Sequence, residues 1–138
     1  MSALERFVEA QAGIYPKALS ELRAGRKQSH WMWFIFPQIA GLGHSDMARF
    51  YAIKDRDEAV AFLSHDLLGQ RLCECCEAVS AWAGKRSAVA ILGTIDAMKL
   101  NSSMTLFAAV ATDAAPFDAI IEAFYDGKRD TRTLELLT

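Results

Sequence analysis

The chain has 138 residues, of which 52% are apolar and 23% charged, and a net charge of −2. That length holds one domain with a substantial core and is short for two. So slight a charge gives no overall attraction for nucleic acid or an anionic membrane surface, and no apolar run reaches the roughly 20 residues of a membrane span.

The opening Met1-Ser2-Ala3-Leu4-Glu5 has neither the basic nor the apolar region of a signal peptide, so a cytoplasmic setting is expected. Ser2 followed by Glu5 has the pattern of a capping box and predicts a first helix. Leu4, Phe7, Val8 and Gln11 recur at helical spacing, which puts the Gln11 amide on an apolar stripe. Such an amide either bonds nearby backbone or faces a ligand. Gly13 breaks the pattern. Pro16 suits the first turn of a second helix over residues 15–24, with Ala18, Leu19 and Leu22 inward and Gly25 as its stop.

The next stretch organises the rest: Arg26-Lys27-Gln28-Ser29-His30-Trp31-Met32-Trp33-Phe34-Ile35-Phe36-Pro37-Gln38. Every position from Trp31 to Phe36 is apolar, which fits neither the helical nor the strand period and predicts burial on all sides. The polar groups at its edges are then held rigidly against the core. His30 can move a proton near neutral pH, Trp31 and Trp33 offer faces for a planar ring, Gln38 can read an amide or base edge, and Arg26 supplies a cation. The same residues also make an ordinary core plug with polar ends.

Pro37, Gly41 and Gly43 mark a loop. Ser45 caps a short helix carrying Met47, Phe50 and Tyr51, and Asp55 with Glu58 opens another with Ala59, Phe62 and Leu63 inward. Ser64-His65-Asp66 reads as a turn in which His65 caps or faces solvent. Leu68, Leu72, Cys75, Val79 and Trp82 fall on one helical face and predict a long helix over residues 66–83, ended by Gly84. Cys73, Cys75 and Cys76 are too close together and odd in number for a disulfide framework. Two thiolates one turn apart also leave metal positions unfilled, so neither metal nor cofactor is expected. Ser87 opens a brief helix over residues 88–92, stopped by Gly93.

A second polar cluster follows in Thr94-Ile95-Asp96-Ala97-Met98-Lys99-Leu100-Asn101-Ser102-Ser103. If the segment is helical, Asp96, Lys99 and Ser103 share a face. If Asn101 or Ser102 instead caps the next helix, its first amides make a small anion site beside Lys99. A local ion pair plus a cap accounts for the same residues. A Ser–Lys nucleophile pair is disfavoured, since a lysine near an aspartate stays protonated. Met104, Phe107, Ala108 and Ala111 line the following helix, and Pro116 opens another with Phe117, Ile120, Ile121 and Phe124 inward, ending near Gly127. Asp130 caps a last turn or two with Leu134 and Leu137.

No segment alternates apolar with polar residues, and no hairpin turn pair lies between β-branched runs. The expected fold is all-α: a single compact domain, residues 1–138, of seven or eight short helices. Gly-rich phosphate loops, zinc-binding His-Glu-x-x-His helices and Gly-x-Ser-x-Gly nucleophile turns are absent from the sequence.

The texts Phe7 to Gln11, Gly25 to Gln38, Gly41-Leu42-Gly43, His65 to Leu72 and Asp96 to Phe107 together resemble a bacterial family of unknown function, number 1810, over nearly the whole chain. The resemblance implies a compact, mainly helical domain that stands alone, and no particular activity. Some members carry the label calpastatin. Inhibitors of that type are largely disordered, whereas this chain is apolar and aromatic, so the label does not fit. Phe7 to Gln11 and His65 to Leu72 are also similar to helix texts of the riboflavin N-glycosidase-like, ADP-ribose-related family. At the level of fold alone this implies a nucleotide-like ligand.

Two functions follow as expectations. In the first, a small enzyme or binder takes a nucleotide-like metabolite: Trp31 or Trp33 stacks on its ring, Gln11 and Gln38 read its edge, and Lys99 with Ser102 and Ser103 holds a phosphate. His30 would carry the proton in any reaction, and the Arg26–Gln38 and Asp96–Ser103 clusters would meet in one pocket. In the second, a non-enzymatic module uses the aromatic run as core and an apolar surface patch to meet a protein partner.

Overall fold

The computed structural model describes residues 3–138. Among these, ten helices run in order: α1 (Glu5–Gln11), α2 (Tyr15–Arg23), α3 (Met32–Ile35), α4 (Asp46–Phe50), α5 (Arg56–Ser64), α6 (Asp66–Ser80), α7 (Ala88–Leu92), α8 (Thr94–Val110), α9 (Ala115–Tyr125) and α10 (Thr131–Leu137). The fold is all-α, as expected, with more helices than the expected seven or eight; one of the additional ones is a single turn within the aromatic run. No strand is present among the described residues; one isolated bridge pairs Ile39 with Ile53.

Half of the helix starts follow from side-chain caps. The Ser45 hydroxyl accepts from the Ala48 N–H, the Asp55 carboxylate from Glu58, Ser87 from Ala90 and Asp130 from Thr133. His65 caps α6 with its ring: Nδ1 accepts from the amides of Leu67 and Leu68, each at 3.2 Å. The box expected of Ser2 and Glu5 falls on Ser2, outside the described residues. Gly25 stops α2 at φ +74°, a left-handed conformation that also brings it against Trp82: a Cβ there would lie 2.7 Å from the indole.

The two longest helices, α6 and α8, form the centre. Helix α8 packs against α5, α7, α9 and α10, while α6 packs against α1, α2, α5 and α9. The middle of α8 is enclosed, with all positions from Ser102 to Phe107 buried. A chain of rings crosses the core, Phe7 to Phe62 at 5.2 Å, Phe62 to Phe107 at 5.3 Å and Phe107 to Phe117 at 5.9 Å between centroids. Each such pair contributes about 0.5–1.5 kcal/mol beyond area burial.

On α6 the expected face is buried: Leu68, Leu72, Cys75 and Val79 are closed off from solvent. Cys76 is buried as well, against Met104 of α8, and Cys73 is half-buried. Trp82 departs from the expectation. The helix ends at Ser80, and Trp82 lies half-buried in the turn beyond it, its indole N–H donating to the Leu22 carbonyl at 3.0 Å.

Candidate functional site

The aromatic run begins from a single buried carboxylate. Glu21 lies on the inner face of α2, one turn beyond Ala18, and is buried. Its Oε1 accepts from the backbone N–H groups of Gln28 at 2.8 Å and Ser29 at 2.9 Å and from the Trp31 indole at 3.0 Å, while Oε2 accepts from the Ser29 hydroxyl at 2.7 Å. Burial alone pushes the Glu21 pKa up; the four hydrogen bonds overcome it and hold the carboxyl at about 2. The loop entering the run is thus fixed by one anion. Sequence reasoning missed this residue, although its signal was present: an acidic group three positions after Ala18 on an apolar stripe.

Beyond the loop, Trp31 is fully buried and starts the single turn α3. The turn sends Met32, Phe34 and Ile35 into the core and leaves Trp33 half-buried. Lysines cover both tryptophans: Lys27 Nζ lies 5.2 Å from the Trp31 ring and Lys99 Nζ 5.3 Å from the Trp33 ring. Asp96 links the two, with Oδ2 at 3.0 Å from Lys27 Nζ and Oδ1 at 3.7 Å from Lys99 Nζ. The aromatic run and the polar first turns of α8 therefore meet, through two cations sharing one carboxylate.

Past Pro37, the chain is pinned to the segment before α5: the Ile53 N–H donates to the Gln38 carbonyl and the Ala40 N–H to the Ile53 carbonyl, both at 2.8 Å. This sets Gln38 at the wall of a cleft of about 280 Å³, opposite Met98, Lys99 and Ser102 of α8, with Asp130 beside them. Ser102 donates to Asp130 Oδ2 at 3.1 Å, and the same oxygen accepts from the amide and hydroxyl of Thr133. Asp130 had been expected only as a cap. Its second role depends on two segments remote in sequence and leaves no local pattern.

The expected site residues separate into three groups. Gln38, Lys99 and Ser102 line this cleft, and Asp96 adjoins it through Lys99. Gln11, Trp31 and Ser103 belong to the core. The Gln11 amide donates to the Phe34 carbonyl at 2.8 Å and accepts from Arg71 at 3.2 Å, which ties α1, α3 and α6 together. Trp31 is spent on Glu21, so its face is closed to a ligand. Ser103 is fully buried, and its hydroxyl has no hydrogen-bond partner among the described residues. Arg26 and His30 are exposed and line no part of the cleft, and Trp33 lies beneath Lys99 rather than on the wall.

Helix α8 also decides between the two sequence alternatives. It runs unbroken from Thr94, so no helix starts at Asn101 or Ser102 and the anion site proposed at such a start does not form. The polar side chains find partners without breaking it: the single Ser102 hydroxyl hydrogen has the Met98 carbonyl and Asp130 Oδ2 both within reach, and Asn101 donates to the Lys128 carbonyl. Asp96, Lys99 and Ser103 share the helix, but Ser103 is turned into the core.

No cluster of metal-ligating side chains occurs among the described residues, and none of their helices is long and apolar enough to cross a membrane.

The comparisons bear on family and fold. The chain is similar in structure to the conserved hypothetical protein Rv1873 from Mycobacterium tuberculosis, known from a crystal structure at 1.38 Å, with 50% identity, a TM-score of 0.94, and coverage of 97% of this chain and 95% of that one. No protein of curated function matches. The model of a family described as protein of unknown function (DUF1810) matches residues 1–137, so this chain belongs to that family.

Proposed function

We propose that the cleft between the loop after α3 and the outer face of α8 binds a small anionic metabolite of nucleotide-like chemistry. The observation that supports it is polar capacity the protein does not use. Among the described residues the Gln38 side chain makes no hydrogen bond, Lys99 makes none beyond its 3.7 Å ion contact with Asp96 and its place over the Trp33 ring, and Asp130 engages Oδ2 but not Oδ1. Lys99 offers three N–H donors to an anion, Gln38 a donor–acceptor edge, and Asp130 an acceptor for hydroxyl groups. The cleft is near the small end of the range for ligand sites, about 300–1,000 Å³. The reading is one of binding. His30 has no part in it, being exposed and away from the cleft.

Thermal unfolding in the presence of ribose 5-phosphate, AMP and ADP-ribose tests the proposal. At 100 times the dissociation constant a bound ligand stabilises by about 2.7 kcal/mol. Lys99→Met and Gln38→Ala should abolish most of that gain. Absence of stabilisation by every anion at millimolar concentration rejects it. A second reading, a protein-interaction module, draws on the exposure of Ile95 at 70% and Met98 at 68%.

A further inference from the structure

A second cleft, of about 370 Å³, lies on the other side of Met98. Val89 of α7, Ala97 of α8 and Phe124 and Tyr125 of α9 are among its walls, and it shares Met98, Ser102 and Asp130 with the first. Along α8, Ile95 and Lys99 border the first cleft, and Ala97 and Asn101 the second. Two grooves therefore follow neighbouring strips of one helix, divided by the exposed Met98 with the buried Ser102 at its foot.

The two halves differ in chemistry. The first presents an ammonium and an amide. The second is aliphatic and aromatic, and its polar side chains are largely occupied: the Tyr125 hydroxyl donates to the Ala97 carbonyl, and Asn101 donates to the Lys128 carbonyl while accepting from Thr105. The divider is soft. Met98 is unbranched and mostly exposed, so it can move aside without disturbing the core. At the junction stands Asp130, whose Oδ1 has no donor among the described residues.

We infer that the two clefts are halves of one site, and that its ligand is a phosphorylated nucleoside. The phosphate meets Lys99, a hydroxylated sugar crosses the divider and donates to Asp130, and the ring enters the half bounded by Val89, Phe124 and Tyr125. This rests on the binding proposed for the first cleft and extends it. A phosphate or sugar phosphate alone would leave the apolar half empty, and an apolar ring alone would leave the Gln38 amide without a partner and Lys99 with only Asp96 and the Trp33 face.

Methyl-detected NMR titration of the full chain with AMP and with ribose 5-phosphate separates the possibilities. Both ligands should shift Ile95 and Met98; only AMP should shift Val89, and it should bind at least tenfold more tightly. Val89→Asn, at an exposed position, should weaken AMP several-fold and leave ribose 5-phosphate unchanged. Equal affinities with unmoved Val89 methyls overturn the two-part site while leaving the first cleft as a binding site. Tighter binding of AMP with silent Val89 methyls places the ring elsewhere and also overturns it. Failure of both ligands to bind at millimolar concentration removes the first-cleft reading and this one together.

Discussion

Lys27 Nζ stands 3.0 Å from Asp96 Oδ2, joining the loop before the aromatic run to the first turn of α8 across 69 positions of sequence. Their side chains are only 10% and 18% exposed, so screening by solvent is incomplete. Asp96→Asn removes the carboxylate that Lys27 and Lys99 share and leaves two part-buried ammonium groups facing one neutral amide. The expected loss is about 1–3 kcal/mol, read as a lower urea midpoint at unchanged slope. A change below about 0.5 kcal/mol would assign the pair to ordinary surface bridges instead.

Glu21 makes the protein's stability depend on acid. Its pKa falls from the ordinary 4.5 to about 2 on folding, so its contribution is complete above about pH 4.5 and is lost as pH drops toward 2. Glu21→Gln should cost on the order of 2 kcal/mol at neutral pH, since one acceptor cannot replace a carboxylate taking four bonds. The gap between variant and wild type should close as the pH falls from about 4.5 to 2. A gap independent of pH would mean that the carboxylate's charge is not what holds the loop.

Gly69 lies inside α6, where alanine is ordinarily better by about 1 kcal/mol. Here a Cβ would come 2.2 Å from the Leu63 carbonyl oxygen and 3.0 Å from its carbon, both backbone atoms of the preceding helix. Gly69→Ala should therefore destabilise by about 1–3 kcal/mol in thermal or urea unfolding. Gln70→Ala, exposed on the same helix, should stay within about 0.5 kcal/mol.

Leu72 is 1% exposed at the middle of α6. Leu72→Ala removes its contacts and leaves a hole that the surrounding helices cannot close fully. The expected cost is about 2–5 kcal/mol by equilibrium denaturation.

Local chemistry made much of this fold legible. Ser45, Asp55, Ser87 and Asp130 were read as caps because capping involves groups within one turn, and the inward face of α6 because its spacing survives over four turns. The aromatic run was legible as buried but not as a helix. Apolar residues at every position erase the period, and only the fold reveals that Trp33 faces the lysine side. Asn101 and Ser102 resembled a helix start because their hydroxyl and amide compete with backbone; the partners that quiet them, Asp130 and the Lys128 carbonyl, come from a later segment. Candidates chosen for chemical versatility were divided the same way. Gln11 and Trp31 have their polar groups consumed within the core, whereas Gln38 and Lys99 keep theirs, and that distinction lies in tertiary contacts that spacing does not encode.

The thiols of α6 give this protein a built-in clock. Burial pushes the Cys75 thiol up to about 12 and that of Cys76 well above its usual value, and it raises the half-buried Cys73 too. Alkylating reagents attack thiolates, so Cys75 and Cys76 stay silent for as long as α6 remains docked. The rate at which they become labelled counts the openings of the central helix, with no engineered probe. A ligand that bridges α8 to its neighbours without touching α6 would lengthen that interval only if the two central helices open together. Labelling kinetics thus measure whether the molecule breathes as one unit or two.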